Sequence, residues 1–139
     1  MYLMAAGIWV KVKGMKQTII LVEDDNIIRD MYLLKFTNAG YQVRAFSGGQ
    51  DALSWLCKNT ADLALVDILL PQINGIVLLK SIRKDPRHSS MRIIILTNLT
   101  ESDINLHSTI RESLAVDGYF VKSQITPAQL ESKVSAVLQ

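Results

Sequence analysis

The sequence predicts a doubly wound α/β sandwich, a five-stranded parallel sheet with five helices packed on its two faces. Three observations lead there. Short, uninterrupted apolar runs alternate with stretches of helical period from Thr18 onward. The runs are rich in β-branched and aromatic residues, the pattern of strands buried on both faces. No repeat, linker or low-complexity tract interrupts the alternation, so a single domain accounts for the chain.

The bulk properties agree. With 139 residues the chain has the length of one domain, which buries roughly 68–70% of its unfolded surface in one core. Fifteen Lys and Arg against thirteen Asp and Glu give a formal net charge of +2, too slight an excess to argue for direct nucleic-acid binding. Hydrophobic residues at 49% and charged ones at 20% exclude a disordered chain. The single cysteine, Cys57, excludes an internal disulfide framework and a multi-cysteine zinc site, and suits the reducing cytoplasm. No apolar run approaches the roughly eighteen residues that span a bilayer, so no membrane association is expected.

In chain order, residues 1–15 stand apart from the domain expected over 16–139. Met1 to Val10 is apolar and precedes Lys11, Lys13 and Lys16, the reverse of a secretory signal's charge order. Ile8, Val10 and Val12 alternate with Trp9, Lys11 and Lys13 as in an extra strand. An unordered extension, or a start upstream of a native Met15, is an equal alternative. Ile19–Val22, Leu63–Val66, Ile93–Leu96 and Tyr119–Val121 are the buried runs, and Tyr41–Phe46 alternates like an edge strand. Asn26–Ala39 is helical and stopped by Gly40; Gly49–Lys58 and Gly75–Lys84 come next, the latter closed by Asp85-Pro86. Ser102–Leu114 is the most polar helix, and Thr126-Pro127 opens the last.

The chemistry lies at the carboxyl end of each buried run. The first ends in Glu23-Asp24-Asp25, the second in Asp67, the third in Thr97 and the fourth in Lys122. Right-handed crossovers put every parallel strand's carboxyl end on one edge of the sheet, and ligands bind outside those ends where strand order reverses. Carboxylates, a hydroxyl and an ammonium thus converge on one crevice. Like charges at such distances repel by several kcal/mol unless one protonates or a cation intervenes. Mg²⁺, a hard ion suited to oxygen ligands, answers that need. With a lysine and a hydroxyl the site is built to hold a phosphoryl group, and aspartate is a carboxylate nucleophile of aspartyl-phosphate chemistry.

These residues carry a resemblance. Ile20-Leu21-Val22-Glu23-Asp24-Asp25, Leu65-Val66-Asp67 through Pro71 to Gly75, Ile94-Ile95-Leu96-Thr97 and Gly118-Tyr119-Phe120-Val121-Lys122 together resemble a response-regulator receiver domain, the phosphoacceptor module of two-component signalling. The resemblance runs from about Lys16 to the carboxyl end. It implies a flavodoxin-like sheet of order 2-1-3-4-5 and Mg²⁺ as cofactor. It also implies Asp67 as phosphoacceptor, with Glu23, Asp24, Asp67 and the Leu69 backbone carbonyl around the metal. Thr97 and Lys122 contact phosphoryl oxygens, and Tyr119 is the aromatic that turns inward on activation. The implied partners are a sensor histidine kinase or histidine phosphotransfer protein, a downstream protein target, and a second copy through the face of the fourth helix, fifth strand and fifth helix. Such a module accepts phosphate rather than turning over substrate, apart from slow autodephosphorylation. The chain is expected to be a stand-alone receiver or the receiver part of a larger regulator.

Departures from the family pattern and bland readings stand beside this. Ser123 succeeds Lys122 where the family usually has proline, and Asn98 succeeds Thr97 where a small residue is usual. The stretch from Thr97 to Lys122 is a few residues long for the pattern. Asp25 reads best as a helix cap, Tyr119 serves equally as core, and Cys57 reads as a half-buried helix residue. His88 and His107 read as surface residues, and Ser47-Gly48-Gly49 as a strand-to-helix turn. A phosphatase using Asp67 as nucleophile is the rival enzyme reading, but Leu69 stands where that chemistry wants a second acid. A flavin carrier lacks its phosphate-cradling loop.

Overall fold

The fold is described from a computed structural model for residues 2–11, 16–70, 74–98, 108 and 112–139. The elements run β1 (Tyr2–Ala5), β2 (Ile8–Lys11), β3 (Thr18–Val22), α1 (Asn26–Asn38), β4 (Gln42–Phe46), α2 (Gly49–Leu56), β5 (Leu63–Val66) and α3 (Gly75–Lys84). After a 3₁₀ turn (Pro86–His88) come β6 (Arg92–Thr97), β7 (Gly118–Val121), a second 3₁₀ turn (Lys122–Gln124) and α4 (Pro127–Leu138). Strands β3 to β7 form one parallel sheet of order β4-β3-β5-β6-β7, which is 2-1-3-4-5 within that sheet. The order reverses between β3 and β5, and that gap is where Glu23 and Asp67 emerge.

The period-2 alternation of the strands divides the core into two layers. Ile20, Val22, Ala64, Val66, Ile93 and Ile95 point to the side covered by α2 and α3. Ile19, Leu21, Leu63, Leu65, Ile94 and Leu96 point to the side covered by α1 and α4. All but two of these twelve are fully buried, so a central strand has no polar face to spare. The alternating Gln42–Phe46 segment is an edge strand, as its pattern requires.

Local chemistry sets the helix starts. The Asp25 carboxylate accepts the N–H groups of Ile27 and Ile28 at 2.9 and 3.0 Å, so the capping role read for it is the one it plays. Asn74 accepts from Val77 N–H, and Thr126 with Gln129 forms a capping box ahead of Pro127. Gly40, at φ +99°, ends α1.

Several expectations change. The described residues hold four helices rather than five; the polar helix expected over Ser102–Leu114 falls almost wholly outside them, as does His107. Cys57 is exposed rather than half-buried, because α2 ends at Leu56 and the chain leaves the helix there. His88 is buried rather than on the surface. The turn after α3 tucks under the end of α2, and the His88 Nε2 lies 3.1 Å from the Leu56 carbonyl oxygen. The extra strand expected at Ile8 is β2 of an antiparallel hairpin with β1, a sheet separate from the five-stranded one. Ala6 and Gly7 turn it with φ of 50° and 79°, the signs of a type I′ turn.

Among the described residues, Gly75 is the glycine at which a Cβ would collide with backbone. A Cβ there would meet the Asp67 carbonyl oxygen and stand 2.5 Å from Ile68 Cα, while Gly75 N–H donates to the Ile68 carbonyl at 3.1 Å. The first turn of α3 thus presses on the backbone carrying Asp67. Gly75→Ala is expected to lower unfolding free energy by about 1–3 kcal/mol, the usual cost of overpacking. A urea titration reads this as a lower midpoint at unchanged slope.

Candidate functional site

The ladder hydrogen bonds place the acids. Glu23 N–H donates to the Phe46 carbonyl at 3.0 Å, and Asp67 N–H to the Val22 carbonyl at 3.1 Å. Both residues therefore continue the sheet one step beyond β3 and β5, side by side at its carboxyl edge. Glu23 and Asp67 are buried, and Asp24 is exposed.

Lys122, the first residue after β7, joins them. Its Nζ lies 2.5 Å from Glu23 Oε1 and 2.6 Å from Asp67 Oδ2. The second oxygen of each carboxylate takes a backbone donor: Asp25 N–H reaches Glu23 Oε2 at 3.3 Å, and Leu69 N–H reaches Asp67 Oδ1 at 2.9 Å. Every oxygen of the two buried carboxylates is thus partnered, as burial of charge requires.

Arg29, which sequence reasoning missed, holds the acidic turn from behind. Its Nη1 donates to the Glu23 carbonyl at 2.9 Å and reaches the Asp24 carbonyl at 3.5 Å, while Nη2 donates to Asn26 Oδ1. An arginine in the first turn of a helix, where the dipole favours anions, was the available signal. It acts there through backbone carbonyls, not through the acids themselves.

Three carboxylates facing one ammonium set the electrostatics. Burial pushes the Glu23 carboxyl above its ordinary pKa, and the bond to Lys122 offsets this only in part. Burial also acts against the charge on Lys122, but its bonds to Asp67 and Glu23 outweigh that and hold its pKa above the ordinary value. One oxygen from each of Glu23, Asp24 and Asp67 lies within 4.8 Å of the others. An all-oxygen, anionic donor set with one member open to water fits Mg²⁺.

The remaining predicted residues surround this cluster or stand apart from it. Thr97 is fully buried at the end of β6, in register with Val121 beside Lys122. Leu69 is half exposed, its N–H committed to Asp67. Tyr119 is buried within the apolar layer under α2 and α3. Asn98 and Ser123 are exposed, the latter in the 3₁₀ turn that begins at Lys122. Pro71 lies outside the described residues.

Comparison with known proteins gives a consistent picture. The family described as "Response regulator receiver domain" matches residues 19–135. The transcriptional regulatory protein GltR of Pseudomonas aeruginosa is 35% identical over 123 residues, covering 88% of this chain and 49% of that protein. The regulatory protein VanRc of Enterococcus gallinarum is 30% identical over 125 residues, 90% of this chain and 51% of that protein. The chain thus spans about half the length of these relatives. A CheY-like receiver domain structure from Methanospirillum hungatei superposes with a TM-score of 0.79 at 26% identity, covering 89% of this chain and 94% of that one. Chemotaxis regulator CheY4 of Vibrio cholerae gives 0.79 at 24% identity, covering 89% and 100%, a likeness of fold.

Removing the ammonium tests its structural weight. Lys122→Ala leaves Glu23 and Asp67 buried without a cation, and about 3–5 kcal/mol of stability is expected to be lost at pH 7. The Glu23 carboxyl, whose folded pKa is raised by burial, binds its proton more tightly folded than unfolded. The deficit therefore shrinks as pH falls toward the ordinary carboxyl value of about 4 and widens as pH rises through the raised Glu23 value. Urea unfolding across that range checks the trend, and a deficit constant with pH contradicts it.

Proposed function

The chain belongs to the response regulator receiver domain family, and from that premise we propose that Asp67 is the residue that accepts its phosphoryl group. Phosphorylation on aspartate within a phosphorelay is the role of this family. The observation that carries the assignment is the Asp67 carboxylate at the strand-order reversal, 2.6 Å from the Lys122 ammonium. Its donor is a phosphohistidine on a sensor histidine kinase or phosphotransfer protein. A carboxylate oxygen of Asp67 attacks phosphorus, the P–N bond breaks, and the histidine nitrogen leaves with the bonding pair as neutral imidazole once protonated.

Glu23, Asp24 and Asp67, with the Leu69 carbonyl, are the residues that would hold Mg²⁺, which when bound neutralises charge between carboxylate and phosphoryl oxygens. Lys122 offers the same service as a fixed ammonium. Its bond to Asp67 holds the nucleophile in one orientation, and the Leu69 N–H holds the other oxygen. Thr97 supplies a hydroxyl to the phosphoryl group, and Tyr119 moves in response to its displacement. Moving a two-state protein from 1:99 to 99:1 takes about 5.5 kcal/mol, and two charge-assisted hydrogen bonds at about 1.5–3 kcal/mol each supply most of that. The face that changes is built from β7, α4 and the segment that precedes β7 in sequence, and it meets the downstream protein target or a second copy.

The protein acts as a phosphoacceptor rather than as an enzyme with a turning-over substrate, and it works in the cytoplasm. The lone exposed cysteine supports a reducing compartment. Among the described residues no helix is long and apolar enough to cross a membrane. Residues 16–139 form the receiver and residues 1–15 an appendage to it.

Incubation with acetyl phosphate and Mg²⁺ is expected to add one phosphoryl mass to the native protein and none to Asp67→Asn, as read by intact-mass spectrometry. Removing Mg²⁺ with a chelator abolishes the gain. Label on the Asp67→Asn variant would move the acceptor to another residue.

A further inference from the structure

The β1–β2 hairpin serves neither the five-stranded sheet nor the acidic site, and it precedes the residues that the receiver family matches. Tyr2, Leu3, Met4, Ile8 and Trp9 are each 53–68% exposed. The register pairs Tyr2 with Lys11, Leu3 with Val10, Met4 with Trp9 and Ala5 with Ile8. Alternation puts Tyr2, Met4 and Trp9 on one face and Leu3, Ala5 and Ile8 on the other, so both faces are apolar. A stripe on α1 shows the contrast. Ile27, Met31 and Leu34 are 82%, 42% and 63% exposed, and their i, i+4, i+7 spacing sets them on one side of the helix, away from the buried Tyr32 and Phe36. The helix is two-faced; the hairpin is not.

Polarity changes along the axis of the hairpin instead. Its tip, Ala5-Ala6-Gly7-Ile8, carries no polar side chain. Met4 and Trp9 form the next rung, and Tyr2 and Lys11 the outermost one. Exposed Lys16 follows ahead of β3. Residues 1–17 hold three lysines and no acid, whereas twelve Lys and Arg and all thirteen acids come after them. The positive excess of the chain is thus concentrated here, and the remainder is net negative by one. A groove on a protein covers one face of a hairpin, whereas a lipid interface surrounds an inserted tip on both.

We infer that the β1–β2 hairpin inserts tip-first into the interface of an anionic lipid bilayer. Three steps of about 3.3 Å part the Ala5–Ile8 rung from the Tyr2–Lys11 rung, about 10 Å in all. Interfacial elements sink to a similar depth, roughly 5–10 Å into the boundary of headgroups and acyl chains. At that depth Trp9 and Tyr2 occupy the zone where such rings gather, and Lys11 and Lys16 stay level with the anionic headgroups. The open edges of a two-stranded sheet hold it there, because unpaired backbone groups are not tolerated in the hydrocarbon core. A hairpin that is marginal in water alone gains the cover it lacks. The expectation of no membrane association rested on spanning length, which an interfacial hairpin does not require. The hairpin leads into Thr18 at the amino end of β3, while Glu23 and Asp67 stand at the carboxyl edge of the sheet. Attachment therefore leaves the acids clear and does not rest on the phosphotransfer reading.

Co-sedimentation of the full chain with phosphatidylglycerol vesicles tests this, with phosphatidylcholine vesicles as the neutral counterpart. The native chain is expected to pellet with phosphatidylglycerol and to bind phosphatidylcholine far more weakly. Each lysine near an anionic surface is worth about fivefold in binding, so Lys11→Gln combined with Lys16→Gln should weaken the phosphatidylglycerol complex by about 25-fold. Ile8→Asp and Trp9→Glu should each leave the chain in the supernatant, with urea midpoints unchanged because neither residue belongs to the core. In a Trp55→Phe background, phosphatidylglycerol vesicles should shift Trp9 emission to the blue and lower its acrylamide quenching several-fold. A native chain that stays in the supernatant overturns the inference, as does equal binding to the two lipids. Pelleting that survives both Ile8→Asp and Trp9→Glu marks attraction by charge alone and also overturns it. So does Trp9 already shielded without vesicles in a species of twice the 15.5 kDa chain mass, which would assign the hairpin to a second copy.

Discussion

One ammonium between two buried carboxylates is the constraint on which the rest of the site depends. Lys122 gives Nζ contacts of 2.5 and 2.6 Å to Glu23 and Asp67, and without it two buried like charges would stand side by side. That arrangement is not a stabilising device in the ordinary sense, since buried ion pairs often return no more than their desolvation removes. Its value is positional. Each carboxylate has one oxygen fixed by the lysine and the other by a backbone N–H, leaving little rotational freedom in either side chain. Asp24 alone stays exposed, so water and small ions reach the cluster from its side.

Strand order makes that contact. Glu23 and Asp67 are neighbours because β3 and β5 pair directly, with β4 sent to the outer side of β3. Lys122 arrives from the far edge of the sheet, two strands from β5, and its long side chain spans the intervening β6 position to reach the acids. Rigid supports surround the arrangement. Gly75 brings α3 against the Asp67 backbone, and Arg29 ties the Glu23-Asp24 carbonyls to α1. A site assembled on strand ends and braced by two helices holds its geometry better than one carried by loops alone.

The hairpin and the α1 stripe show the opposite case, apolar surface that the domain core does not consume. Both core layers are filled by strand residues and by one side of each helix. Ile27, Met31 and Leu34 lie on the other side of α1, so their exposure results from the helix's angular position rather than from loose packing. The partition leaves the acidic edge and the apolar stripe on adjoining parts of one helix, since Ile27 is also a residue whose N–H the Asp25 cap accepts.

Much of this was legible from residue order alone. Uninterrupted apolar runs specified the three inner strands and β7, alternation specified the β4 edge, and capping residues marked helix starts at Asn26 and Pro127, because burial and capping are properties of short segments. The polar residues after each run specified the candidate site, since parallel connection sends all strand ends to one edge. Tertiary structure alone decided the pairings. That Lys122 bonds Asp67 across 55 residues, that Arg29 serves carbonyls, that His88 is buried under α2 while Cys57 is exposed, and that an apolar hairpin precedes the sheet all depend on which segments meet in space. Periodicity records how a residue faces its own element; it carries no record of which distant element will stand opposite.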